Sequence, residues 1–333
     1  MKSLRTLLAI ALLGLAALAG YAAWYVGTAV RIQAVPVVFE IPAGSGLRAA
    51  IRHMELAGVE PGRLRFELLA RAAGRAGAIK AGNYEISSGI TPLELLDQIT
   101  RGLVTQAEIT FIEGWTFLQL RAALDQSPDL RHDSRGMSDA ALLERIGASE
   151  SHPEGLFFPD TYLFARHSSD LAVLRRAYHA MQRHLAQEWR QRATDLPYKA
   201  PYDALILASI VEKETGRGTD RGEIAGVLVN RLRIGMALQT DPTVIYGLGE
   251  RFDGNLKRVH LTTDGPYNTY TRRGLPPTPI SLPGLAAMRA TLQPARTKAL
   301  YFVSRGDGTT QFSRSLEEHN RAVSKYQLQP RKK

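Results

Sequence analysis

Two glutamates, Glu212 and Glu214, close a run that is otherwise apolar: Leu205-Ile206-Leu207-Ala208-Ser209-Ile210-Val211. A helix apolar nearly all the way round belongs inside a domain, not on its surface. A carboxylate on such a helix must be paired, turned into a cleft, or protonated, because desolvating its charge is costly. At 3.6 residues per turn the two side chains point about 200° apart, so they cannot form one carboxylate pair on a shared face. Glu214 continues the stripe of Leu207, Ile210 and Val211, whereas Glu212 follows Leu205, Ala208 and Ser209. Gly216 is expected to end the helix. A glutamate at the last turn of a buried helix, where an irregular loop begins, is placed to meet a substrate, and proton transfer is the work open to it. The alternative is a structural salt bridge with Lys213, Arg217 or Arg231. The pattern alone leaves both open.

Other elements must hold this run. Downstream, residues 217–221 read as a polar loop. Residues 223–232 read as a second helix, with Ile224, Val227, Leu228 and Leu232 on one side. Leu238-Gln239-Thr240-Asp241-Pro242-Thr243 then leads to a short helix over 244–246. Pro266-Tyr267-Asn268-Thr269-Tyr270 is a polar aromatic loop, and 274–280 is stiff and extended. A helix over 286–292 follows. A hairpin then joins strands 299–303 and 310–312 across Gly306-Asp307-Gly308, and a final helix starts at Leu316. Upstream, a strand is expected over 105–112 and helices over 117–124, 140–146 and 171–189. The segment Pro153-Glu154-Gly155-Leu156-Phe157-Phe158-Pro159-Asp160-Thr161-Tyr162 sets aromatics beside carboxylates, which suits a sugar-binding cleft. It equally suits a rigid loop whose aromatics are core. His179 and His184 are five apart and fit no HExxH-type metal site.

Residues 6–30 carry no charge and lie between Arg5 and Arg31, long enough for one membrane span. Tyr21, Trp24 and Tyr25 sit near its far end, where amphipathic rings favour the interface. Lys2 and Arg5 favour an inside N-terminus, so the rest of the chain is expected outside the cytoplasm. The competing reading is a signal peptide cleaved after Ala17-Leu18-Ala19. Residues 35–102 read as a small α/β module, with strands over 37–41 and 81–86 and helices over 47–56 and 64–73. Thr91-Pro92-Leu93-Glu94 opens a third helix with a capping box. Nothing in this module is reactive, and binding or spacing is its natural role. The chain has 333 residues, 44% hydrophobic and 22% charged, with no cysteine and a net charge of +10. That charge favours an anionic neighbour such as a lipid surface or acidic polymer. It is scattered, and no basic run interleaved with aromatics marks a nucleic-acid groove.

Several segments together resemble the YceG-like family of endolytic murein transglycosylases. They are Ala208-Ser209-Ile210-Val211-Glu212-Lys213-Glu214-Thr215, Asn230-Arg231-Leu232-Arg233-Ile234-Gly235-Met236 and Leu238-Gln239-Thr240-Asp241-Pro242-Thr243-Val244-Ile245-Tyr246-Gly247. Tyr267-Asn268-Thr269-Tyr270 and Gly274-Leu275-Pro276-Pro277 complete the set. The resemblance covers almost the whole chain. It implies an α+β protein: a cytoplasmic N-terminus (1–5), a transmembrane helix (6–30), a small LysM-like α/β module (35–104), a mixed α+β catalytic domain of lytic-transglycosylase type (105–328), and a basic tail (329–333).

The same resemblance implies cleavage of the β-1,4 bond between N-acetylmuramic acid and N-acetylglucosamine within peptidoglycan strands, leaving 1,6-anhydro ends. Its catalytic acid/base corresponds to Glu214. Glu212, Gln239, Thr240, Asp241, Tyr267, Asn268 and Tyr270 are then the candidates for positioning and for stabilising an oxocarbenium ion. No cofactor or metal is implied. The expected partners are peptidoglycan strands, the cytoplasmic membrane and peptidoglycan synthases, with no nucleic acid. The expected location is the cytoplasmic membrane, with the catalytic domain facing the periplasm or cell exterior. Two rivals stand beside this reading. One is a muramidase in which Asp241 or Glu223 activates water. The other is a non-catalytic peptidoglycan-binding scaffold.

Overall fold

The computed structural model describes residues 2–33, 36–103, 106–215 and 217–328. The helix stop expected at Gly216, the domain boundaries near 34–35 and 104–105, and the tail 329–333 lie outside the described residues. The chain divides into two compact units, Met1–Ala107 with Leu163–Ser168, and Glu108–Tyr162 with Ser169–Lys333. Secondary structure is mixed α and β.

The first unit begins with α1, Lys2–Gly27. Its apolar stretch Leu8–Gly27 is long enough to cross a membrane. The helix stops three residues before the expected end at 30. Val30 is instead buried in the core of the unit, and its N–H donates to Ile90 O at 2.8 Å. Tyr25 is also turned inward: its hydroxyl donates to Pro61 O at 2.6 Å, and the Arg65 guanidinium lies 5.1 Å from its ring centre. Tyr21 and Trp24 remain exposed, as interfacial anchors require.

Strands β1 (Arg31–Ile32) and β3 (Val59–Glu60) pair briefly. Strands β2 (Val37–Ile41) and β4 (Gly82–Ile86) form an antiparallel ribbon, with Val37 opposite Ile86 and Ile41 opposite Gly82. Alternation along β2 sends Val37, Phe39 and Ile41 inward and leaves Val38 and Glu40 exposed. Helices α2 (Leu47–Leu56), α3 (Arg63–Ala72) and α4 (Pro92–Arg101) supply the rest of the core through Ile51, Met54, Phe66, Leu95, Leu96 and Ile99. The Thr91–Glu94 capping box forms as its sequence requires.

After β5 (Gln106–Thr110), the second unit contains α5 (Phe117–Gln126), β6 (Leu130–Arg131) and α6 (Asp139–Ile146). Strands β7 (Thr161–Ala165) and β8 (Ser168–Ser169) lead to the long helix α7 (Asp170–Arg190). Helix α8 runs Pro201–Glu214, starting four residues ahead of the apolar run at Leu205, with Pro201 in its first turn. The Asp203 carboxylate closes that end by accepting from the N–H groups of Lys199 and Ala200. Every residue from Ala204 to Val211 is buried. Each large side chain so removed from water stabilises the fold by about 1.5–3 kcal/mol.

Helix α9 runs Gly218–Arg233, so the polar loop expected at 217–221 is mostly helix, with Asp220 in the favourable first turn. Helices α10 (Asp241–Leu248), α11 (Arg258–Thr262) and α12 (Leu285–Leu292) follow, then the hairpin β9 (Tyr301–Ser304) and β10 (Thr310–Ser313) and helix α13 (Leu316–Val323). Helices α7, α9 and α12 pack around α8. Where α9 approaches the chain at Ala295, a Cβ on Gly226 would lie 2.6 Å from a backbone oxygen, so no larger residue fits. In the stretch 153–162, Glu154, Leu156, Phe157, Phe158 and Tyr162 are all buried. The aromatics there are core, and the sugar-cleft reading of that segment gives way to the Pro-locked loop.

Candidate functional site

The two glutamates of α8 part company as the helical angle requires. Glu212 turns into the packing. Its carboxylate accepts from the Gly284 N–H at 2.9 Å and pairs with Arg221 at 3.3 Å, with only 6% of its side chain exposed. Its pKa is raised by burial, against the lowering effects of the Gly284 N–H and Arg221. Lys213 donates to Gly114 O and Arg217 to Gly308 O, so neither is the partner of a glutamate.

Glu214 is half-buried at the last residue of α8 and makes no hydrogen bond or ion pair among the described residues. It lines a cavity of 420 Å³ in the second unit. Burial raises its pKa to about 7, the neighbouring Asp241 carboxylate adds to the rise, and Arg231 opposes it. Arg231 is buried and nearby, yet it forms no ion pair with Glu214. Its guanidinium is taken up by backbone carbonyls, Leu300 O and Leu238 O at 2.7 Å and Ala237 O at 3.3 Å. It therefore acts on Glu214 through its field and leaves the carboxyl oxygens free. A free carboxyl that titrates near neutral pH can both give and take a proton.

Of the supporting candidates, Gln239, Asp241 and Tyr270 line this cavity beside Glu214. The Tyr270 hydroxyl donates to Asp241 Oδ1 at 2.5 Å, and the adjacent carboxylate together with burial raises the phenol's pKa. Gln239 has a left-handed backbone, φ +49°, uncommon for a residue with a Cβ. Its N–H donates to Thr269 O. Thr240 is buried behind it, in a cluster with Thr243 and Thr269 that holds the start of α10. Asn268 is a buried brace: its amide donates to Thr263 O, His260 O and Leu261 O, and its carbonyl accepts from the Tyr270 N–H. Tyr267 shares a hydrogen bond with Thr278, packs edge-on to Tyr246, and lines a different cavity with His260 and Asp264. Glu223 faces Thr297, so of the two proposed water-activating carboxylates only Asp241 shares a cavity with Glu214.

The far wall of the cavity comes from Tyr301, Phe302, Leu316, His319 and Asn320, none of them singled out from the sequence. The final helix was legible there, but nothing in its pattern tells which way a histidine on it faces. Glu154 was visible only as part of an aromatic segment. It is buried, accepts from the Phe117 N–H and the Tyr246 hydroxyl, and has its pKa raised to about 7, chiefly by burial.

The sequence profile of the YceG-like family matches residues 39–325. The chain belongs to the YceG-like family. The match takes in both units but not α1. The chain is similar to the endolytic murein transglycosylase of Bacillus subtilis (strain 168), with 30% identity over 307 residues, covering 87% of this chain and 84% of that protein. The endolytic murein transglycosylase of Streptococcus pneumoniae strain D39 is 26% identical over 325 residues, and there the match covers 87% of this chain but 58% of the longer relative. A 2.6 Å crystal structure of a yceG-like protein from Listeria monocytogenes superposes with a TM-score of 0.54 at 30% identity, covering 86% of this chain and 98% of that one. This YceG-like chain thus shares its fold with a solved yceG-like protein.

Proposed function

We propose that this chain is a lytic transglycosylase that cuts the β-1,4 bond between N-acetylmuramic acid and N-acetylglucosamine inside peptidoglycan strands, with Glu214 as its acid and base. One observation carries the reading: a carboxyl that has no hydrogen-bond or ion-pair partner among the described residues, faces a cavity, and has a pKa of about 7. The names of the similar proteins, endolytic murein transglycosylases, supply the substrate class.

The reaction needs only one such group. Protonated Glu214 gives its proton to the glycosidic oxygen as the bond from that oxygen to muramic C1 breaks. The resulting carboxylate takes the proton of the muramic C6 hydroxyl as its oxygen bonds to C1. The 1,6-anhydro product forms, Glu214 ends protonated, and no water is consumed. This differs from the two-carboxylate schemes of most glycoside hydrolases. Asp241, held by Tyr270 in the same cavity, would support positive charge developing at C1. The presence of Asp241 in the cavity also favours one rival, a muramidase in which Asp241 activates water.

The small module with its order β2, α2, α3, β4 suits a LysM-like glycan binder. Helix α1 suits a single membrane anchor with the second unit outside the cytoplasm, close to the synthases that make its substrate. The test is mass spectrometry of fragments released from purified sacculi by the wild type and by Glu214→Gln. Anhydro ends that vanish in the variant support the transglycosylase. Products heavier by one water make it a muramidase, and a variant as active as the wild type removes Glu214 from the chemistry.

A further inference from the structure

Part of the lining of the Glu214 cavity comes from strand β9 and helix α13. Ser315 caps α13 by accepting from the Glu318 N–H at 3.2 Å. One turn later stands His319. Its ring stacks on Tyr301, with centroids 5.3 Å apart and planes 24° off parallel. Tyr301 in turn has the Arg231 guanidinium 5.2 Å from its ring centre. The imidazole is therefore held on one face by an aromatic ring whose own position is set by a buried cation.

The ring nitrogens differ. His319 Nδ1 is sealed from solvent and has no hydrogen-bond partner among the described residues. A neutral imidazole carries a proton on one nitrogen and a lone pair on the other. A sealed N–H without an acceptor is a rare and costly arrangement, more so than an unused acceptor. The ring therefore keeps its proton on Nε2. Burial and the Arg231 charge both hold the His319 pKa below the ordinary histidine value, so the ring is neutral where Glu214 works. No residue described here uses that second N–H, and the ring lines the same cavity as Glu214, Asp241 and Tyr270.

We propose that His319 is a substrate-binding residue, donating from Nε2–H to an uncharged oxygen of the glycan seated against Glu214. The inference rests on the function proposed above and names a contact on the side of the cleft that the motifs around Glu214 do not supply. Asn320, beside it on the same wall, offers a second amide for the same sugar face.

The test uses the full chain and three variants, His319→Phe, His319→Asn and His319→Gln. The amide nitrogen of Gln falls near the position of ring Nε2, whereas that of Asn falls near Nδ1. Release of anhydro fragments should show kcat/KM reduced about tenfold or more in Phe and Asn, as expected for a buried polar contact left unmade, and largely restored in Gln. The pH profile should keep its shape in Gln, because the ring serves as a fixed donor. Thermal melting of all three checks the fold.

Binding of defined glycan strands to the same substitutions placed on Glu214→Gln gives a readout independent of bond chemistry. The Kd should rise about tenfold for Phe and Asn and little for Gln. Activity and affinity within twofold of the parent in His319→Phe, restoration by Asn rather than Gln, or a displaced pH profile in Gln would each overturn the assignment. Loss of the anhydro product in the wild type itself, with strand binding still dependent on His319, would overturn the proposed chemistry and leave this contact standing. Absence of strand binding would overturn the contact.

Discussion

Removing the charge of Glu214 should make the protein more stable above neutral pH while abolishing its activity. The ordinary pKa of a glutamate is 4.5, and in the fold that of Glu214 is about 7, so it binds its proton through about 2.5 further pH units. At about 1.4 kcal/mol per unit this corresponds to roughly 3 kcal/mol. The sign follows from proton counting. Between 4.5 and 7 the folded state keeps the proton and the unfolded state has lost it, so stability falls as pH rises through that window and levels off above it. Glu214→Gln has no proton to lose.

The stability difference, variant minus wild type, should therefore climb by roughly 3 kcal/mol from pH 4.5 to pH 8. For a unit of this size that is a Tm difference growing by roughly 6–12 °C. Any constant effect of the amide drops out, because only the change with pH is read. Glu212 and Glu154, whose pKa values are also raised, are present in both proteins and cancel. Melting of the full chain can be followed by tryptophan emission, since Trp115 and Trp189 both lie in the second unit. A difference that stays flat from pH 4.5 to 8 would refute the raised pKa and, with it, the argument for a group poised to give and take a proton.

Three further outcomes are expected. Asp241→Asn removes the second cause of the raised Glu214 pKa, so the alkaline limb of the pH–rate profile should move to lower pH, but only part of the way because burial is the larger cause. Glu212→Gln leaves the half-buried Arg221 without its carboxylate and should destabilise by about 1–3 kcal/mol, with a smaller loss of activity than Glu214→Gln, read from melting and fragment release on the same samples. A reporter fused after Lys333 should be active outside the cytoplasm, with α1 retained in the mature chain. A soluble form beginning at Gly20 would mean that the segment is a cleaved signal.

Much of this was legible because it is local. Periodicity placed α2, α4 and α8 to within a few residues, and the Thr91-Pro92-Leu93-Glu94 signal gave its capping box intact. The divergence of Glu212 and Glu214 followed from helical geometry alone. What could not be read depends on chain-distant packing. The partner of Glu212 is Arg221, a residue the polar loop reading left in solvent, and Gly284, which has no signature at all. Asn268 and Thr240 look like site residues by type, yet the fold spends them on bracing the turns that carry Tyr270 and Asp241. The wall of Tyr301 and His319 was hidden because an amphipathic helix pattern states that one face is covered, not what covers it.

That wall has a consequence for timing. Glu214 precedes the residues that roof its cavity by roughly ninety to a hundred positions. During synthesis from the N-terminus, α8 and its carboxyl emerge long before β9, β10 and α13. Until those last elements dock, their share of the burial around Glu214 is missing, so its pKa is expected to lie nearer the ordinary carboxylate value. A chain stalled before α13 carries every residue of the Glu-Lys-Glu motif but lacks part of the cavity lining around Glu214. If Glu214 is the acid, the cavity is expected to become competent only once β9 and α13 have docked on it.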